Sequence, residues 1–436
     1  MIRQSPKTYV ALGVALLGAG LGLMYSVRSA ADFAAHLDRQ VHPVSCTLMP
    51  SFGDKAAQAT EPDAEHAAEG CTVAMYSPYS SFWRAKYWGG IPVALFGLGL
   101  FGFATMLAAY GLVTRRGGDP APRALLLTAG IVATGTSAVF FSLSLSELGT
   151  FCTTCVGIYI SSALLLIGGV LTLLFGRSDA RAAYSDLAIE GNAIEGSAAE
   201  PRPEPAPRTR HGLAALSLTA QLGIAVALPP AVYVASLPDY GPYVSSCGVL
   251  KQQQDPHQVL LPTRSTGGKG ADAVLVLDPL CPACKAFHER YAASPAAQAM
   301  STRVLLMPLD RPCNWMIKDS LHPGACLLSK ALLCAGKDAE GLLELIWSRQ
   351  EDLRKDGIGE REDRIRATVL AKYPAVATCI DKPETDIQLH KVLEHAVLNS
   401  LPVLTPQLYV DGRRLCDEDT DLGFEFALSR LTGRTP

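Results

Sequence analysis

Between Tyr9 and Leu237 the chain carries five runs of apolar residues, each long enough to cross a bilayer. A hydrocarbon core offers no water to backbone N–H and C=O groups, so runs of this kind must be helices. They read as Tyr9 to Val27, Trp88 to Val113, Ala124 to Leu145, Cys152 to Phe175 and Gly212 to Leu237. Pro92 falls in the first turns of the second run, where a missing N–H costs little. Pro229 and Pro230 weaken the fifth. The first run follows Arg3 and Lys7 without a clear Ala-x-Ala cleavage signature, and reads as an uncleaved span.

Positive charge orients the spans. Arg115, Arg116 and Arg123 separate the second and third, and Arg177, Arg181, Arg202, Arg208 and Arg210 follow the fourth, which places both segments in the cytoplasm. The loop 28–86, the turn Glu147 to Thr150 and everything after Pro238 then share the opposite face. If Gly212 to Leu237 were a buried soluble helix instead, the last domain would lie in the cytoplasm. The run PRPEPAPR makes 178–211 read as a stiff, extended linker.

Composition agrees with a membrane protein. Of 436 residues 49% are hydrophobic, and the net charge is -3. With no basic stripe carrying interleaved aromatics, nucleic-acid binding is set aside. The 12 cysteines crowd into segments on the non-cytoplasmic side, which implies an oxidising space.

The fourth span opens with FCTTCVGIYI, so Cys152 and Cys155 form a Cys-x-x-Cys pair at a helix N-terminus. Partial positive charge and free N–H groups there favour thiolate over thiol. Two intervening residues let the sulfurs close a small, reducible ring. Apolar helix follows at once, so a lipid-dissolved oxidant, a quinone, could meet the pair from one side and an aqueous thiol from the other. A structural disulfide or a metal half-site is the bland alternative. Two crossings return this pair to the face that holds Cys46 and Cys71 in the 28–86 loop.

The last domain begins with the strand ADAVLVLDPL, which runs into a second pair, Cys281-Pro-Ala-Cys284, and an amphipathic helix. The strand RVLLMPLD, a helical region from about Pro323 to Pro374, a further helix, a strand after Thr405-Pro406 and a helix Asp421 to Leu431 complete a mixed α/β layer. Cys281 would sit exposed at a helix N-terminus, with Cys284 more buried and able to resolve mixed disulfides. Cys247, Cys313, Cys326, Cys334, Cys379 and Cys416 fit structural disulfides, their pairing unreadable. Cys326 and Cys334 are two turns apart on one helix, so each needs another partner. His288 follows Cys284 by one turn and could tune it, though a solvated histidine reads as well. The loop histidines His36, His42 and His66 have no metal-ligand spacing, and no metal is expected.

The strand, CPAC, helix and later Thr-Pro over Asp272 to Leu431 resemble the thioredoxin superfamily, and the helical insert resembles its DsbA-type branch. The resemblance implies a cis bond at Pro406, facing the active disulfide, with Pro402 as competitor. The first four spans resemble the vitamin K epoxide reductase family, in its bacterial thioredoxin-fused branch. The matching features are a loop cysteine pair, Ser80-Ser81-Phe82-Trp83, GIPVALFG, and Cys152-x-x-Cys155-x-x-x-Tyr159. This resemblance implies that Cys155 contacts the quinone, that Tyr159 lines its site and that Ser81 is a polar aid near the exchanging sulfurs. Tyr159 also reads as an interfacial anchor, and Ser80 and Ser81 as a helix cap. Two departures stand out. Cys46 and Cys71 are more widely spaced than in the family, and no asparagine opens the second span to bond a quinone oxygen, leaving Lys86, Tyr87 or Trp88 as substitutes.

The fold expected is therefore a multi-domain membrane protein: an α-helical four-helix transmembrane bundle (1–177), one further transmembrane helix (212–237) and an extracytoplasmic α/β thioredoxin-like domain (238–436). The resemblances imply a relay in the cytoplasmic membrane. Reduced extracytoplasmic proteins pass electrons to Cys281 and Cys284, then to Cys46 and Cys71, then to Cys152 and Cys155, and then to a ubiquinone, menaquinone or vitamin K-type quinone. Two rivals remain. One is a thiol-driven quinone or quinone-epoxide reductase; the other is a membrane-tethered thioredoxin-like binding module whose cysteines are staples.

Overall fold

The computed structural model describes residues 5–38, 71–114, 119–149, 152–193, 208–244, 247–264, 270–416 and 422–433. The chain forms two compact units, Met1–Pro238 and Asp239–Pro436.

The first unit is built on α1 (Pro6–Ala35), α2 (Val93–Thr114), α3 (Pro120–Leu143), α4 (Thr153–Ala193) and α5 (Arg208–Ser236). All five contain stretches long and apolar enough to cross a membrane, the last over Leu216–Ser236. Ser5 starts α1 by accepting the Thr8 N–H on its hydroxyl, and Pro6 supplies a fixed first turn. Lipid gives apolar helices no reason to associate, so close backbone packing must hold them. Glycine permits it here. A Cβ on Gly18 of α1 would stand 2.5 Å from the Leu165 nitrogen of α4, and one on Gly168 of α4 2.4 Å from the Ala15 nitrogen of α1. Gly99 of α2 seats α5 in the same way against Ala225. Leu12, Phe101, Leu126 and Leu165 fill the space between.

Two readings of the linker region change. The helix α4 runs on to Ala193 where an extended chain was expected, because 178–193 is rich in alanine and free of proline. The proline-rich 201–207 lies outside the described residues. Pro229 and Pro230 sit inside α5 without ending it.

Between α1 and α2, residues 71–76 are helical and lead into a small antiparallel hairpin, β1 (Ser81–Phe82) with β2 (Ile91–Pro92). Its turn needs left-handed backbone at Gly90, φ 77°, where a Cβ would also meet the Phe82 carbonyl oxygen at 2.6 Å.

The second unit holds a five-stranded sheet in the order β3-β5-β4-β6-β7, made of β3 (Leu261–Arg264), β4 (Asp272–Leu277), β5 (Ser301–Leu306), β6 (Gln407–Val410) and β7 (Arg413–Arg414). The central strand β4 pairs parallel with β5 and antiparallel with β6. A parallel neighbour requires a crossover, and α6 (Pro282–Ala293) supplies it. Between β5 and β6 come α7 (Ala325–Ala335), α8 (Ala339–Ser348), α9 (Gln350–Ile358), α10 (Glu362–Lys372) and α11 (Pro383–Leu398), and α12 (Phe424–Leu431) closes the chain. This is a thioredoxin fold with a helical insert. Both edge strands escape a reading from hydropathy: β3 carries Pro262 and β7 is two residues long.

Three disulfides brace the unit: Cys247–Cys416, Cys313–Cys326 and Cys334–Cys379. Cys326 and Cys334 share α7 and bridge in different directions, as helix geometry demands.

Candidate active site

In the membrane unit the sulfurs converge at the start of α4. Cys71 is in a disulfide, whereas Cys152 and Cys155 are free thiols. Cys152 Sγ lies 3.3 Å from Cys71 Sγ, and the Cys155 backbone N–H donates to Cys152 Sγ at 3.3 Å. A thiol in contact with a disulfide sulfur, backed by a helix N-terminal amide, is arranged for exchange. Cys46 lies outside the described residues.

Beside these sulfurs opens a cavity of about 320 Å³ lined by Cys71, Cys152, Cys155 and Tyr159, with Phe33, Phe96, Phe101 and Phe140 among its apolar walls. Asp32 is the one charged residue among its described lining residues. The Tyr159 ring packs edge-on to Phe141 at 5.9 Å. Thr154, between the two cysteines, also lines the cavity; its Oγ1 is buried and has no hydrogen-bond partner.

Ser81 does not line this cavity. Its buried hydroxyl donates to the Gly89 carbonyl at 2.7 Å and accepts Arg84 Nε at 2.7 Å. Arg84 also donates to Ser80 Oγ and to the carbonyls of Tyr76 and Ser77. It thereby ties the end of the 71–76 helix to the hairpin, satisfying carbonyls at the negative end of that helix. Lys86, Tyr87 and Trp88 are likewise absent from the cavity wall. Lys86 lies over the Tyr87 ring and Trp88 is buried.

In the second unit Cys281 caps α6, and Cys284 lies one turn in, fully buried. Thr405–Pro406 is cis, and the Thr405 carbonyl accepts Cys281 Sγ at 3.9 Å. Pro402 is not among the cis bonds. The hydrogen bond from Cys284, aided by Thr405 and by the nearby His322, holds the Cys281 thiol down to about 6 despite burial. Burial, reinforced by the Cys281 charge, pushes Cys284 well above an ordinary thiol. An outer thiol held low and an inner one held high suit a nucleophile and a resolving thiol.

Behind Cys281 stands a pair that no local motif announces. Asp278, fully buried, accepts the N–H groups of Leu280 and Leu309 and bonds His322 Nδ1 at 2.9 Å. Burial pulls His322 toward neutrality, but the Asp278 carboxylate prevails and raises it. The only sequence signal was Asp278 itself, charged at the end of an apolar strand. His288, by contrast, packs on Trp347 with ring centres 4.5 Å apart. Among the described residues no group of three or more His, Cys, Asp or Glu is placed to hold a metal ion.

Comparison with curated proteins gave no match. Among solved structures, the oxidoreductase NmDsbA1 from N. meningitidis is 16% identical, with a TM-score of 0.25, covering 39% of this chain and 88% of that one. The reduced form of DsbA1 from Neisseria meningitidis is also 16% identical, with a TM-score of 0.26, over 40% of this chain and 90% of that one. Residues 11–169 match the vitamin K epoxide reductase family. That range includes the Cys71, Cys152 and Cys155 cluster, so the segment that is similar to the vitamin K epoxide reductase family is the one that holds these sulfurs.

Proposed function

We propose that this protein oxidises thiols of extracytoplasmic proteins and delivers the electrons to a membrane quinone. The observation that carries the reading is the 3.3 Å contact between Cys71 and Cys152 at the mouth of an apolar cavity. Aromatic walls and a predominantly apolar lining surface suit a flat, hydrophobic ring. A quinone seated there would accept two electrons and two protons.

The relay is a chain of thiolate attacks on disulfides. A client thiolate attacks Cys281 of the oxidised CPAC pair, displacing Cys284, and the second client thiol releases the client as a disulfide. The CPAC pair, now two thiols, reduces a loop disulfide between Cys46 and Cys71. Cys71 as thiolate then attacks Cys152 of the oxidised Cys152–Cys155 pair, and Cys155 leaves as the thiolate that faces the cavity. Cys46 resolves the Cys71–Cys152 bond, so two electrons have moved and every sulfur pair is restored once Cys152 and Cys155 are reoxidised. Tyr159 contributes a wall of the cavity. The active cysteines belong on the extracytoplasmic side of a cytoplasmic membrane, by the charge of the cytoplasmic segments.

The test is quinone consumption by the full chain in detergent, supplied with a reduced dithiol peptide. Quinone loss that matches peptide oxidation and disappears in Cys155→Ala is expected. Peptide-independent quinone loss, or quinone loss unaffected by Cys155→Ala, would sink the relay.

A further inference from the structure

The turn that carries the chain from β4 to Cys281 is held by two buried side chains. Asp278 accepts the Leu280 N–H at 2.7 Å. Gln350, the first residue of α9 in the helical insert, holds the carbonyls of the same turn. It is 7% exposed, and its Nε2 donates to the Cys281 carbonyl at 3.1 Å and reaches the Pro279 carbonyl at 3.5 Å. A long amide loses hydration and rotamer freedom on burial, so it is kept where its bonds are used.

Gln350 brings the Cys281 carbonyl to three donors. As the cap of α6, that oxygen already accepts the N–H groups of Cys284 at 3.1 Å and Lys285 at 3.3 Å. A carbonyl oxygen has two lone pairs, so one donor is in surplus. The Cys284 N–H is the donor with a second acceptor at hand, because it also bonds the Cys281 sulfur. We infer that Gln350 is a positioning residue for Cys281: by donating to the Cys281 carbonyl it releases the Cys284 N–H toward the sulfur, where that N–H stabilises the thiolate. This rests on Cys281 as the attacking sulfur of the relay. The effect belongs to the reduced pair, since a hydrogen bond to a charged acceptor is the stronger one and a disulfide sulfur carries no charge.

The titratable groups that set Cys281 are Cys284 on α6 and His322 on the loop before α7, with Asp278 at the end of β4 and Arg354 on α9 acting on His322. None of them changes in the variants used here. Gln350→Met keeps the length and removes the donor; Gln350→Asn keeps an amide but withdraws it from the turn. The full chain in detergent is alkylated with iodoacetamide across pH, and Cys281 is followed by peptide mass spectrometry. The pair is also equilibrated with glutathione, where its disulfide and two glutathione thiols give two protein thiols and glutathione disulfide. In both variants the alkylation midpoint is expected to rise by about half a pH unit, and the ratio of dithiol to disulfide to fall by about two- to tenfold. Melting should drop further in the reduced protein than in the oxidised one. An unchanged midpoint, with both redox forms destabilised equally, overturns this inference alone and leaves Gln350 a structural residue. Failure of both variants to fold overturns it as well, since releasing one N–H is not a requirement of the fold. A wild-type midpoint in the ordinary thiol range overturns the reading of Cys281 as the attacking sulfur, and this inference with it.

Discussion

Cys71 Sγ and Cys152 Sγ are 3.3 Å apart, although 81 positions separate them in the chain. The approach is held from one side by the α4 N-terminus and from the other by the hairpin that Arg84 ties to the 71–76 helix. Loosening that tie should slow exchange without touching any sulfur. Arg84→Ala is expected to reduce peptide-driven quinone turnover by about tenfold or more, since displacing reacting atoms by about an ångström has effects of that size. Steady-state turnover, with helix content by circular dichroism as a control, checks it; an unchanged rate would show that the clamp is dispensable.

The Cys281 thiolate gives a pH signature. With its thiol held at about 6, alkylation of Cys281 by iodoacetamide should reach half its maximal rate near pH 6, while Cys284 stays unreactive through neutral pH. The folded value is lower than that of an unfolded thiol. The reduced protein therefore gains stability from this group above the ordinary thiol range, and loses it as pH falls through about 6. Peptide mass spectrometry of alkylation against pH, and thermal melting of the reduced protein against pH, read the two effects.

His322 should contribute to that signature. Its positive charge favours the Cys281 thiolate, so His322→Gln is expected to raise the alkylation midpoint by about half a unit to one unit, and His322→Arg to raise it less. Asp278→Asn should do more damage to the fold, about 2 to 4 kcal/mol, because a buried acceptor of two backbone N–H groups and one imidazole is exchanged for a mismatched amide. Chemical denaturation measures the second value.

The Cys334–Cys379 disulfide closes 45 positions of the helical insert. Replacing both cysteines by serine should cost the second unit about 2 to 4 kcal/mol by the chain-entropy argument. Its Cys281 alkylation midpoint should remain in place, because neither cysteine is among the groups that set it.

How far each of these features could be read beforehand follows from where its information lies. The five spans are local, written in runs of apolar residues, and helices appear at all five. The two Cys-x-x-Cys pairs are local too, since two residues of spacing and a helix start are contained in a few positions. The Asp278 and His322 pair, the Arg84 clamp and the three disulfides join residues through the fold, and nothing in the spacing of six cysteines selects one pairing. Ser81 shows the same limit from the other side. Its place in a motif suggested a part near the sulfurs, and its hydroxyl is engaged by Gly89 and Arg84 instead.

The most direct measurement is the disulfide map of the Cys155→Ala protein, by non-reducing digestion and mass spectrometry. Without Cys155, the Cys152 thiolate can attack the Cys71 disulfide, and only the displaced Cys46 can reverse the cross-link. A Cys71–Cys152 cross-link in a large fraction of molecules, absent from Cys155→Ala combined with Cys152→Ala, is the expected result. No such cross-link, with Cys152 remaining a free thiol under conditions where the wild type turns over, would contradict exchange between these two sulfurs.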